Sequence, residues 1–121
     1  MAQKRVLIVD DSSLARMMMR NNLTKNHPEW EIVEAKEGDE ALALIQATDI
    51  DLALIDYNMP GMNGIELATQ LMEQQPTTSI HLVTANIQDR MRQRAEAMGV
   101  GFIMKPISEE KLAGVVNELE G

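Results

Sequence analysis

Residues 53–64 read "ALIDYNMPGMNG". The apolar run that fills the preceding "DLALI" (51–55) passes without transition into Asp56, and then into a loop carrying Pro60, Gly61 and Gly64. A short apolar run bounded by turn residues is the pattern of a strand buried on both faces. A carboxylate at its end is out of place in a core, so it marks where the strand leaves the sheet. The same pattern recurs along the chain. "RVLIV" (5–9) runs into Asp10 and Asp11, "SIHLVT" (79–84) ends in Thr84, and "GFIM" (101–104) runs into Lys105. "EIVEA" (31–35) is the one strand of this kind that ends without such a group.

Each strand is followed by a helical pattern. "SSLARMMMRNNLTKN" opens with capping serines, "GDEALALIQA" places Ala41, Leu42, Leu44 and Ile45 on one stripe, and Gly64 to Gln74, "QDRMRQRAEAM" and "SEEKLAGVVNEL" complete the series. Strict alternation with short connections implies right-handed crossovers and a parallel sheet covered by helices on both faces. No linker, repeat or low-complexity stretch divides the chain, so residues 1–121 are expected to form one domain with no output domain attached.

Composition narrows the function. The 121 residues are 45% hydrophobic, enough for one core, and contain no cysteine, which excludes disulfides and thiolate metal sites. A net charge of -8 and a single Phe, Tyr and Trp argue against direct contact with nucleic acid or anionic membrane. No apolar window is long enough to cross a bilayer, and "MAQKRVLIVDD" reaches its aspartates too early for a signal peptide, so a cytoplasmic protein is expected.

In open α/β sheets, ligands bind at the edge formed by the C-terminal ends of the strands. Asp10, Asp11, Asp56, Thr84 and Lys105 all arrive there. Crowded carboxylates stay ionised only beside a cation, and oxygen-only ligands select a hard one, so Mg²⁺ is the expected cofactor, with Mn²⁺ able to substitute. Taken singly, Asp10 or Asp11 would read as a helix cap and Asp56 as a turn opener. Acids at two strand ends, joined by a hydroxyl and an ammonium at two more, read as a site.

The segments "VLIVDD", "LALIDYNMPGMNG", "HLVTAN" and "FIMKPI", in this order, resemble the signature segments of bacterial response-regulator receiver domains of the single-domain, CheY-like kind. The resemblance spans essentially the whole chain. It implies a flavodoxin-like, doubly wound, five-stranded parallel sheet of order 2-1-3-4-5 with five helices. It also implies that Asp56 accepts a phosphoryl group from a sensor histidine kinase, a histidine phosphotransfer domain or a small donor such as acetyl phosphate. Asp11 and Asp56 match direct Mg²⁺ ligands, Asp10 an acid acting through water, and Asn58 a backbone-carbonyl ligand. Thr84 and Lys105 match the groups that meet the phosphoryl oxygens, and Phe102 the aromatic that reorients with Thr84. Pro106 matches a proline preceded by a cis bond.

By the same resemblance, a downstream protein reads the surface of helix four, strand five and helix five, and the chain is expected as a monomer or weak dimer. Relay of the phosphoryl group to a histidine phosphotransfer protein is the alternative. A phosphatase of the haloacid-dehalogenase type would need an acid where Asn58 stands, and a nucleotide site would need a phosphate-cradling glycine loop after the first strand. Asn58 and Asn86 are expected to flank the attacking water and set the lifetime of the phosphorylated state. Arg90, Arg92 and Arg94 form a candidate basic docking face, or a solvated one. Met17 to Met19 are too wide for one buried stripe, which leaves at least one exposed where the resemblance implies kinase docking, the competing reading being methionine as adaptable core filler. His27 and His81 read as incidental.

Overall fold

The structure is a computed structural model that describes residues 4–59 and 61–120; Pro60, expected in the loop after the third strand, lies outside them. Ten elements alternate: β1 (Arg5–Val9), α1 (Ser13–Asn26), β2 (Glu31–Ala35), α2 (Gly38–Ile45), β3 (Leu52–Asp56), α3 (Gly64–Gln74), β4 (Ser79–Thr84), α4 (Asp89–Met98), β5 (Gly101–Met104) and α5 (Glu109–Glu120). The strands form one sheet of order β2-β1-β3-β4-β5, all neighbours parallel, as expected.

The period-two pleat sorts the strand residues into two cores. Leu7, Val9, Ala53, Ile55 and Leu82 face the layer of α2, α3 and α4, where Ala41, Leu67, Leu71 and Met91 meet them. Val6, Ile8, Leu54 and Val83 face α1 and α5, against Met19, Leu23, Leu112 and Val116. Every residue of β3 is buried, which is why its sequence shows no alternation. The edge strands β2 and β5 are only partly covered.

Differences from the sequence reading are local. β3 spans 52–56 because Asp56 keeps ladder register with Val83, while Asp51 bends away and its carboxylate accepts the Arg5 N–H at 2.9 Å. α2 stops at Ile45, two residues early, where the Ala47 N–H turns back to the Leu44 carbonyl. Within α2, Ala41 and Ile45 are buried, but Leu42 and Leu44 flank the core half-covered.

Two loops bear on the site. The α1 cap is Ser12, whose side chain accepts the Ala15 N–H, so neither Asp10 nor Asp11 serves as the cap. α3 opens with a capping box in which Asn63 and Glu66 satisfy each other's backbone N–H groups. Gly64 there lies so close to the strand end that a Cβ would sit 2.9 Å from the Leu82 side chain and the Tyr57 Cα, and 3.0 Å from the Asp56 carbonyl.

Candidate functional site

Four strands deliver polar groups to the C-terminal edge. Asp10, one residue past β1, is fully buried, and its Oδ1 accepts the Ser12 N–H at 2.9 Å. Asp56 closes β3 and is 4% exposed. Lys105 lies one residue beyond β5, and its N–H extends the ladder by bonding the Thr84 carbonyl at 2.8 Å. Its Nζ stands 3.5 Å from Asp10 Oδ2 and 3.4 Å from Asp56 Oδ1. Asp11 is exposed, yet one carboxylate oxygen from each of Asp10, Asp11 and Asp56 falls within a 4.8 Å cluster.

Three carboxylates face one ammonium. Burial, then the charge of Asp10, pushes the Asp56 carboxyl above its usual value, while Lys105 and the Asn58 N–H only partly pull it back. Burial works against the Lys105 ammonium, but Asp10 and Asp56 together hold its pKa above the ordinary lysine value. The cluster therefore lacks positive charge. Its donors are all oxygens, clustered closely and open to solvent through Asp11, which suits a hard divalent cation.

The neighbouring groups are placed as follows. Thr84 is buried, and its Oγ1 donates to the Asn86 carbonyl (3.1 Å) and accepts the Asn86 N–H (3.2 Å), so the hydroxyl is held by its own loop. Phe102 pairs in register with Leu82 and packs half-buried on the face shared with α4. Asn58 and Asn86 are exposed. The Lys105–Pro106 bond is cis. Sequence reasoning missed Lys111, whose Nζ donates to the Met104 (2.8 Å) and Pro106 (3.0 Å) carbonyls and so braces the loop that presents Lys105. A lysine on a helix reads as solvated, and only the loop's path reveals its role.

On α1, Met17 and Met18 are about half exposed and Met19 is buried. Met18 and Met19 line a groove of about 260 Å³ with Ala15, Lys105, Pro106 and Ile107. On α4, Arg90, Arg92 and Arg94 are all exposed, but helical geometry puts Arg90 and Arg94 on one face and Arg92 on another, so they do not form a single cluster. His27 caps α1 and stacks on Trp30 at 3.9 Å between centroids. His81 is more than incidental. It is buried beneath α5, its Nε2 lies 3.6 Å from Glu118, and its ring covers Gly101 so closely that a Cβ there would stand 2.5 Å away. Burial depresses the His81 pKa, and Glu118 opposes that shift only in part.

This arrangement of acids, lysine and threonine on a 2-1-3-4-5 sheet has close counterparts. Residues 6–117 match the model of the response regulator receiver domain. The chain belongs to that family. The receiver is 34% identical over 118 residues to the chemotaxis protein CheY of Thermotoga maritima, covering 96% of this chain and 97% of that one. It is 33% identical over 117 residues to the glycerol metabolism activator of Pseudomonas putida, covering 95% of this chain but 53% of that protein. The receiver spans about half or less of the length of several such curated relatives. Among solved structures, Vibrio cholerae CheY4 superimposes with a TM-score of 0.86 at 32% identity over 98% of this chain and 99% of that one. The receiver is thus a CheY-like module of phosphorylation-activated signalling and not a metabolic enzyme. Among the described residues, no helix is long and apolar enough to cross a membrane.

Proposed function

We propose that Asp56 is the phosphoacceptor of this receiver, taking a phosphoryl group from a phosphohistidine of a sensor kinase or phosphotransfer domain, or from a small donor such as acetyl phosphate. One observation carries the reading. Asp56 is a nearly buried carboxylate whose oxygen lies 3.4 Å from the Lys105 ammonium, inside a cluster of three acids that a single lysine cannot neutralise.

Asp10, Asp11, Asp56 and the Asn58 carbonyl would hold Mg²⁺, or Mn²⁺ in its place, which supplies the missing positive charge beside the transferred group. The rest is done by this chain. Phosphoryl transfer needs positioning and charge neutralisation more than covalent assistance. β3 fixes Asp56, and an oxygen of its carboxylate forms the new bond to phosphorus as the donor's bond breaks. Lys105 pairs with the incoming phosphoryl oxygens. No base is needed, because a carboxylate is already ionised when the donor arrives.

Loss of the group proceeds by attack of water on phosphorus. Asn58 and Asn86, both exposed at the mouth, flank that water's approach and offer amides that cannot act as acid or base, which suits a persistent signal. The phosphoryl group adds charge and acceptors that draw Thr84 from Asn86. Phe102 occupies the space Thr84 vacates, and the α4–β5–α5 surface changes for a protein partner. The apolar exposure of Leu14, Met17 and Met18 beside the α1 groove suits docking of a kinase or phosphotransfer helix. We infer that the receiver works in the cytoplasm, as a monomer or weak dimer.

Incubation with acetyl phosphate and Mg²⁺, followed by intact-mass measurement, tests the assignment. Wild type gains one phosphoryl group and Asp56→Asn gains none. Equal uptake by the variant would disprove it.

A further inference from the structure

Arg16 lies outside the acidic cluster yet holds the backbone from which two of its three members hang. The Asp10 N–H makes the last main-chain bond to β2, to the Ala35 carbonyl at 3.1 Å. The Asp10 carbonyl has already passed the sheet edge and accepts instead from Arg16 Nη1 at 2.6 Å. Nε of the same guanidinium donates to Glu34 Oε1 at 3.0 Å, and the other Glu34 oxygen is held by Arg20, one helical turn further along, at 2.6 Å. The Arg16 side chain is only 17% exposed, so water replaces it poorly. A planar guanidinium fork can bond a carbonyl and a carboxylate together, and charged donors bind more strongly than neutral ones.

We infer that Arg16 is a positioning residue for the divalent-cation site. Through the Asp10 carbonyl it fixes the peptide plane joining Asp10 to Asp11, so that the carboxylates on either side of that plane converge with Asp56. Glu34 on β2 anchors the guanidinium, which ties the metal-binding turn to the sheet edge. The inference rests on cation binding by Asp10, Asp11 and Asp56 as proposed above. Arg20 is a built-in control, since it grips the same Glu34 and the Ile32 carbonyl (3.4 Å) but has no hydrogen bond to the Asp10–Asp11 turn.

Mg²⁺ is titrated calorimetrically, with no phosphodonor, into wild type, Arg16→Met, Arg16→Lys and Arg20→Met, and urea midpoints are measured in parallel. Losing a group that orients ligands from outside the metal's own coordination weakens metal affinity by roughly 10-fold or more, so Arg16→Met is expected to raise the Mg²⁺ Kd about tenfold and Arg20→Met to leave it within about twofold. Arg16→Lys keeps a charged donor within reach of the carbonyl and recovers most of the affinity. Should Arg16→Met fail to fold, Arg16→Gln carries the same comparison with the same expected direction. Wild-type affinity in Arg16→Met or Arg16→Gln, or an equal loss in Arg20→Met, overturns the inference while leaving the function standing. Absence of Mg²⁺ binding to wild type overturns both.

Discussion

The two ends of this sheet treat polar groups in opposite ways. At the N-terminal end a central cation and a central amide are fully engaged by partners. Arg5 binds the Asp51 carboxylate through its N–H (2.9 Å), Glu31 through Nε (2.8 Å) and the Asp49 carbonyl through Nη1 (3.1 Å). Gln75 spends all its capacity there, accepting from the Ile50 N–H (2.7 Å) and the Thr78 hydroxyl (3.3 Å) and donating to the Ile45 (2.9 Å) and Thr48 (2.7 Å) carbonyls. At the C-terminal end three carboxylates cluster beside one ammonium, which pairs with only Asp10 and Asp56. One end is balanced and therefore structural. The other is left unbalanced, and an uncompensated charge cluster at a sheet edge is a site in need of a ligand.

The strongest way to break this contrast is chemical. With the carboxylate removed in Asp56→Asn, uptake of phosphorus from acetyl phosphate should fall to background by mass spectrometry, whereas Gln75→Ala should retain it. Next in size is stability at the balanced end. Gln75→Ala strands two carbonyls and an N–H, while the Thr78 hydroxyl keeps its 2.7 Å bond to the Ile50 carbonyl, and at about 1 kcal/mol per stranded group, reduced by water entry, it should lower urea stability by roughly 2 kcal/mol.

At the unbalanced end the sign reverses. Because the folded Asp56 pKa lies above its unfolded value of 3.8, the folded chain holds that proton more tightly, so stability falls as pH rises from 3.8 through the folded pKa and the deficit persists at neutral pH. Asp56→Asn should therefore be more stable than wild type at pH 7 without Mg²⁺. The gain should shrink in acid, where Asp56 is protonated, and when Mg²⁺ is added to wild type. The smallest effect belongs to Glu31→Gln, which removes a half-exposed surface pair and should shift urea stability by no more than about 0.5 kcal/mol.

How much of this was legible in the sequence follows from burial. β1, β3 and β4 are covered on both faces, so their residues had to be continuous apolar runs, and any polar residue at a run's end stood out. Asp10, Asp56 and Thr84 were visible for that reason, whereas Lys105 stood out only by following the short apolar run of the half-covered β5. What the sequence hid are contacts made to backbone across the fold. Arg16 to the Asp10 carbonyl and Lys111 to the Met104 carbonyl leave no periodic trace, because a carbonyl has no residue identity. Helix register hid which of Met17, Met18 and Met19 faces the core, since that depends on where α5 and the sheet lie. His81 looked idle because only the β4–β5 register sets its ring over Gly101.

The Thr84 hydroxyl makes both of its hydrogen bonds to the backbone of Asn86. Whatever draws that oxygen toward Asp56 leaves an amide and a carbonyl two residues downstream with nothing to hold, in the short connection that leads to α4. The tether that keeps the hydroxyl at rest is thus also the means by which its departure is felt. Were the threonine to move, the loop would lose its internal tie and pass to the hold of solvent at exposed Asn86.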